Sequence, residues 1–386
     1  MKLLYVLVFL IGASVCSAKK EECDGNVGDL WLDVVVVVDN SQRVNEESFV
    51  PNIQNSISNI FLGVSIPHTR VGFVTYNSVA TVNADLNKFQ SYDDLMQGVY
   101  NSFNWGNLSP ENTSFIATGL TSAAKLLQHQ GSDYGRVNYP KVIILYASAY
   151  NGTGSLDPLP IANTLIASRI TIITIALDTD HNGVIQKQLV SISSFNSAFD
   201  LDPDSPGPVQ GALINANCFC PHGWLQLYDT YITGSRKYAT CFSFFDSPTS
   251  WNTAKLACRN LWPGNSYLAM EDNALKHNYI LEVTRNDQSF QQPPLQYHIG
   301  LKMYHGNWIW DQPYGLPQQY LDWNDWMPNY PVVSSSMTAV MNVQNSTSSG
   351  WQNIDPIKVS AGYVCEAVAC SVNNFCDANW NTKNQT

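Results

Sequence analysis

The sequence is short of charge. Lys, Arg, Asp and Glu make up 13% of its 386 residues, and no run of Lys or Arg exceeds two. The formal net charge is −11, so the basic stripe that a nucleic-acid or anionic-membrane partner requires is missing. Past the first dozen residues no stretch of about 20 apolar residues occurs, and no transmembrane segment is expected. Catalytic signatures are missing too: there is no nucleophile elbow, His-Glu-x-x-His, phosphate loop or dinucleotide fingerprint. The seven histidines (His68, His129, His181, His222, His277, His298 and His305) are scattered. No enzyme is expected. Cysteine is absent between Asp24 and Asn217. Of nine cysteines, setting aside Cys16 leaves eight; Cys23 precedes that gap and the other seven follow it. This asymmetry divides the chain into two unlike parts.

What is present points outside the cell. Lys2, an unbroken apolar run over residues 3–11 and the small residues Cys16-Ser17-Ala18 predict a secretory signal over residues 1–18. The run is too short to span a membrane. Eight remaining cysteines, an even number, fit an oxidising compartment. Sequons stand at Asn107, Asn112, Asn151, Asn345 and Asn384. Pro110 follows the first of them, and glycosylation is expected at Asn112, Asn151 and Asn345. Hydrophobic residues reach 45%, enough for sizeable cores.

A first domain is predicted over residues 29–216. Residues 32–39 (LDVVVVVD) are a β-branched run suited to a strand buried on both faces. KVIILY at 141–146 and ITIITIAL at 170–177 repeat the pattern, and 70–76 with 81–85 predict a hairpin. Apolar residues at helical spacing over 46–62, and the stretch 118–128, predict intervening helices. Alternating strand and helix predict a doubly wound α/β sheet, whose function sits at the carboxyl ends of the strands.

The first strand ends in Asp39-Asn40-Ser41-Gln42-Arg43. Here the sequence resembles the von Willebrand factor A family, which carries Asp-x-Ser-x-Ser at this place, with a later Thr and an Asp, as a site for a divalent cation. The resemblance implies Asp39, Ser41 and either Thr113 or Ser114 as ligands. Arg43 replaces the second Ser, and Ala147-Ser148 stands where the Asp is expected. Magnesium binding leans on carboxylates, so the site is degenerate. Two roles for Arg43 remain open: pairing with Asp39 as a fixed charge in place of the metal, or pointing to solvent. Asp178-Thr179-Asp180-His181-Asn182-Gly183 imitates half a calcium loop. Leu189 occupies its twelfth position, so a polar turn leading into a helix is expected. Asp200, Asp202 and Asp204 read as a solvated loop.

A second domain is predicted over residues 220–370, with a polar tail over 371–386. WNTAKLACRNL at 251–261, Leu268-Ala269 before a second helix, His298-Ile299-Gly300-Leu301, Trp308-Ile309-Trp310-Asp311 and Gly362-Tyr363-Val364-Cys365-Glu366 resemble the C-type lectin family in order. That resemblance implies an α+β domain, a hairpin disulfide Cys220–Cys241 and a core disulfide Cys258–Cys365. Both cysteines of the family's further pair are absent, at Thr338-Ala339 and Asp355-Pro356. Cys23 and Cys218 bracket the first domain, and Cys23–Cys218 and Cys370–Cys376 are the remaining pairs expected, although spacing alone does not prove connectivity.

Sugar-binding members of the lectin family hold calcium with a Glu-Pro-Asn or Gln-Pro-Asp triplet and a Trp-Asn-Asp motif. Here Met327-Pro328-Asn329 and Trp351-Gln352-Asn353 stand at those places. A thioether is a poor ligand for a hard ion, so neither calcium nor magnesium is expected as a resident cofactor. Asp322, Asp325 and Asp355 are nearby acids. The loop is rich in aromatics: Tyr314, Tyr320, Trp323, Trp326 and Tyr330 either pack its own small core or anchor a ligand. Trp323 is expected to be core and Trp326 exposed. The candidate ligand-binding set is Asp325, Trp326, Asn329, Tyr330, Asn353 and Asp355.

The two-domain order resembles a group of secreted nematode C-type-lectin-like proteins. That resemblance implies an extracellular recognition protein for glycans, glycoproteins or microbial and host surfaces, in innate defence. The alternative is a matrix or adhesion protein that contacts extracellular proteins through the face around Asp39 and Ser41.

Overall fold

The computed structural model describes residues 22–45, 48–130, 135–178, 182–230, 235–290, 295–313, 315–345 and 348–376. The expected signal segment, Tyr314, Thr179-Asp180-His181 and Asn384 lie outside the described residues.

The first half is a six-stranded sheet of order β3-β2-β1-β4-β5-β6. Its strands are β1 (Asp33–Asp39), β2 (Arg70–Tyr76), β3 (Ala80–Ala84), β4 (Lys141–Ala147), β5 (Ile170–Ala176) and β6 (Ala198–Asp200). All pair in parallel except β2 with β3. Helices α1 (Phe49–Phe61), α2 (Tyr92–Ser102), α3 (Ile116–Gln130), α4 (Pro158–Ala167), α5 (Val184–Leu189) and α6 (Gly207–Ala216) cover both faces. The valine run explains the layering. Side chains alternate across a strand, so Val34, Val36 and Val38 pack under α1, α2 and α6. Val35 and Val37 pack under α3, α4 and α5. Every residue of β1 is buried, the two terminal aspartates included. Gly119 lets α3 approach the sheet; a Cβ there would lie 2.8 Å from Val37.

The second half is α+β. An eight-stranded sheet follows the path β13-β12-β10-β14-β8-β7, with β11 on β10 and β9 on β14. In chain order these are β7 (Leu225–Tyr228), β8 (Lys237–Ser250), β9 (Ser266–Leu268), β10 (Leu295–Tyr304), β11 (Asn307–Trp310), β12 (Ala339–Gln344), β13 (Ser349–Ile354) and β14 (Ser360–Val368). Helix α7 (Trp251–Leu261) starts at Ser250, whose side chain accepts from the Thr253 amide. Helix α8 (Ala274–Asn286) starts at Asn273, which caps Lys276 in the same way.

Four disulfides are present: Cys23–Cys218, Cys220–Cys241, Cys258–Cys365 and Cys370–Cys376. Trp31, 1% exposed, joins the halves. Its indole donates to the Ser371 carbonyl at 3.0 Å, and its ring lies edge-on to Phe375, Phe219 and Tyr139 at 4.9–5.4 Å. The expected polar tail is therefore packed at its start: Cys376 is buried, and the Asn373 amide donates to the Asp24 carbonyl at 3.1 Å.

Candidate functional site

Two places follow from the fold. The first is the carboxyl edge of the parallel sheet. The strand order turns at β1 and β4, and ligands of doubly wound sheets bind at such a switch point. Asp39 ends β1 and is fully buried. Its Oδ1 accepts the Ser41 amide at 2.9 Å. Its Oδ2 accepts the Ser114 hydroxyl at 2.6 Å, the Ser148 hydroxyl and the Ser148 amide at 3.3 Å. Burial, followed by the Asp39 charge, pushes the nearby Tyr76 phenol well above its ordinary range.

This arrangement corrects two expectations. Thr113 does not face Asp39; it is exposed and bonds Glu111 at 3.3 Å, and Ser114 takes the inner place. Arg43 neither pairs with Asp39 nor projects freely. The carboxylate is already filled by hydrogens from Ser41, Ser114 and Ser148, and the Arg43 Nε is buried without a partner among the described residues. Ser41 Oγ and Asn40 Oδ1 share that condition. Ser148 is the position sequence reasoning recorded only as a lost carboxylate. A hard divalent ion needs several oxygens free to coordinate. A saturated carboxylate with a guanidinium on the next turn does not fit one. No group of three or more His, Cys, Asp or Glu that could hold a metal occurs among the described residues. Asp178 accepts the amides of Asn182 (3.2 Å) and Gly183 (2.8 Å), just ahead of α5.

The second place is the long segment between β11 and β12, residues 311–338. Most of its expected ligand groups face inward. Asn353 is 1% exposed and straps the segment down: its Oδ1 accepts the Val332 amide at 2.7 Å, and its Nδ2 donates to the Val332 and Met337 carbonyls at 2.8 and 3.0 Å. It is not free for a ligand. Trp326 is half-buried rather than exposed, because its ring packs 5.2 Å from Trp308 and 5.7 Å from Trp351. Trp323 packs on the same Trp351 at 5.5 Å. Asp355 accepts the amides of Ile357 (3.0 Å) and Lys358 (3.2 Å). Those bonds, and Lys358 itself, hold its carboxyl below the usual range. Asn329 is exposed with a left-handed φ of 71°, and Tyr330 is half-buried.

Beneath the segment lies a network that sequence reasoning missed. Glu271 is fully buried. It accepts the Tyr297 hydroxyl at 2.7 Å, the Trp351 indole at 2.6 Å and the Asn342 amide at 3.2 Å. His277 Nδ1 lies 2.7 Å from it, and His277 Nε2 lies 3.2 Å from Asp325. One Asp325 oxygen is thereby held against the imidazole, while the side chain stays 41% exposed. Burial pulls the His277 pKa down, but the Glu271 charge and hydrogen bond and the Asp325 charge outweigh it, so the imidazole titrates above its ordinary value. A histidine three residues into a capped helix, six residues after an acid, was the available signal. The outward rim of the segment mixes apolar Leu316, Tyr320, Val332 and Val333, Tyr320 at 55% exposed, with polar Asp322, Asn324 and Asn329.

Residues 33–205 match the von Willebrand factor type A domain model, and residues 247–367 match the C-type lectin domain model. C-type lectin domain-containing protein 160 of Caenorhabditis elegans is 22% identical over 377 residues, covering 92% of this chain. The chain spans 56% of that relative's length. A galactose-binding C-type lectin isoform of Hoplocephalus stephensii is 27% identical over 118 residues, 30% of this chain and 63% of that protein. Among solved structures, proximal thread matrix protein 1 of the mussel byssus aligns with a TM-score of 0.41 at 19% identity, covering 51% of this chain and 49% of that one.

Proposed function

Because the chain joins a von Willebrand factor type A domain to a C-type lectin domain, we propose that it is a secreted recognition protein that binds glycans or glycoproteins without a resident cation. Both kinds of domain can bind divalent ions, so the distinctive claim is the absence of that dependence. One observation carries it. Asn353 of the lectin half and Asp39 of the first half have their oxygens engaged in internal bonds, and one Asp325 oxygen lies against His277. Ligand contact then falls to the outward rim of the long segment, where Tyr320, Leu316, Val332 and Val333 offer stacking and apolar surface beside the polar Asn329. Four disulfides fit an extracellular protein, and no helix among the described residues is long and apolar enough to cross a membrane. A place in innate defence, against microbial surfaces, belongs to the same reading. Catalysis does not: Glu271 is fully buried and its carboxylate is occupied by internal donors.

A second reading rests on the first half. Arg43 is part-exposed at the switch point. An extracellular protein that docks on this edge would meet its guanidinium, and adhesion would then be the main activity.

A glycan array probed with the oxidised protein, in calcium and again in EDTA, tests the first reading. Retained binding in EDTA that falls about tenfold on Tyr320→Ala is expected, since a stacked aromatic contributes about 1–2 kcal/mol. Binding abolished by EDTA would overturn the cation-independent claim. Array silence together with capture of an extracellular protein, lost on Arg43→Ala, would favour adhesion.

A further inference from the structure

Besides the Asn353 bonds and the backbone pairing of Asp325 and Met327 with Trp351, one imidazole ties the long segment to the buried core of the lectin half. His277 sits on the first turn of α8 with an acid against each nitrogen: Glu271 at 2.7 Å, fully buried, and Asp325 at 3.2 Å, 41% exposed. Only a doubly protonated ring donates to both. A neutral ring has one N–H, and the two acids do not compete equally for it. Glu271 is sealed from water, so a neutral ring that turned its Nδ1 lone pair inward would face a buried carboxylate oxygen at 2.7 Å with no solvent to screen the repulsion. Asp325 reaches solvent, and water replaces the lost donor there. The neutral ring therefore keeps Nδ1–H on Glu271 and turns its Nε2 lone pair toward the Asp325 carboxylate, which it repels.

We propose that Glu271, His277 and Asp325 form a proton-operated latch, docking the outer segment of the lectin half when His277 is charged and loosening it when His277 is neutral. This rests on the proposed ligand rim for its consequence, namely pH-dependent recognition, but the latch itself involves no ligand. The groups facing His277 from each neighbouring element are consistent with it. The stretch before α8 supplies Glu271. The long segment supplies Asp325 and the Trp323 ring, 5.4 Å away. From β10, β12 and β13 come Tyr297, Asn342 and Trp351, all neutral and all donating to Glu271. Burial, then the Glu271 charge, keeps Tyr297 un-ionised by pushing its pKa well above the ordinary value. On α8 itself, Lys276 is bound to Glu366 and Asp272, and Arg285 bonds Gln344 at 2.8 Å while opposing the protonated ring from a distance.

Hydrogen–deuterium exchange on the whole oxidised chain tests it, read by mass spectrometry at about pH 5 and about pH 9, either side of a histidine's range. Rates are normalised to intrinsic exchange, and His277 protonation is followed in parallel by imidazole proton resonances. Amides over residues 320–327, together with the Trp351 amide that donates to the Asp325 carbonyl, are expected to lose about fivefold in protection as the ring deprotonates, while β12 stays unchanged. Asp325→Asn should abolish the step, since an amide pairs with either form of the ring. Protection that stays flat while His277 titrates, or a step that survives in Asp325→Asn, would overturn the latch. Neither result depends on the glycan reading, which the array judges separately.

Discussion

Replacing Asp39 with Ala removes the acceptor on which the carboxyl edge of the parallel sheet closes. Two backbone amides, of Ser41 and Ser148, and two hydroxyls, of Ser114 and Ser148, donate to it. The hydroxyls can rotate toward other acceptors; the amides cannot. Two stranded buried N–H groups are worth about 1–3 kcal/mol each. Loss of a buried charge that was itself desolvated offsets part of this. A net destabilisation of about 3 kcal/mol follows. For a domain of this size that is roughly a 6–12 °C fall in its melting temperature. Asp39→Asn keeps an acceptor for the Ser41 amide and should lose about half as much. Scanning calorimetry of the oxidised chain, in magnesium and in EDTA, is the assay. If Asp39 were instead a poised metal ligand, its removal would relieve an unneutralised charge, and magnesium would stabilise the wild type by mass action. An Asp39→Ala transition within about 1 °C of wild type, or a wild-type transition raised by magnesium, would refute the reasoning.

Two further outcomes follow from the same geometry. Trp31→Ala empties the junction where Phe219, Phe375 and Tyr139 meet and should cost about 3–5 kcal/mol. Calorimetry should show it as the two halves melting further apart, with faster proteolysis near residue 217. His298 is buried, and its pKa is lowered to about 4 by that burial, against the bond from its ring to the Thr249 carbonyl. The unfolded chain, titrating near 6.5, binds more protons in between, so this contribution is complete above about pH 6.5 and is lost as pH falls toward 4, up to about 3 kcal/mol. His277 runs the other way: its raised pKa stabilises below about pH 6.5 and the gain fades as pH rises through the folded value. Urea midpoints should therefore decline on both sides of an interval near neutrality, and His298→Asn should flatten the acid side alone.

The parts of this molecule that were readable beforehand are those set by a local period. A valine run says that both faces of a strand are buried, and α1, α2 and α6 on one side with α3, α4 and α5 on the other supply the cover. Capping residues Ser250 and Asn273 mark the helix starts of the lectin half for the same reason: the bond spans three residues. The candidate sites were legible by position and misread by direction. Asp39 and Ser148 end neighbouring strands, but whether serines beside a carboxylate leave room for an ion or consume its lone pairs depends on rotamers. Trp326 and Tyr320 look alike as loop aromatics. Only the pairing that brings Trp326 against Trp351 decides that Tyr320 is the exposed one.

The Glu271 network shows why such polar cores escape sequence reasoning. Its members come from residues 271, 277, 297, 325, 342 and 351, on six separate stretches of chain. Taken singly, each has an ordinary explanation as a capped turn, a helix residue or a strand residue. The network exists because β10 pairs with β12, and β12 with β13, in one register. That register carries Tyr297 opposite Asn342 and Asn342 opposite Trp351. A shift of one residue would turn all three to the other face and leave Glu271 a buried acid without donors. The register and the network therefore depend on each other. A Glu271→Leu chain strands the buried donors of Tyr297, Asn342 and Trp351 and should lose about 1–3 kcal/mol for each that finds no other acceptor, read as a fall in the urea midpoint.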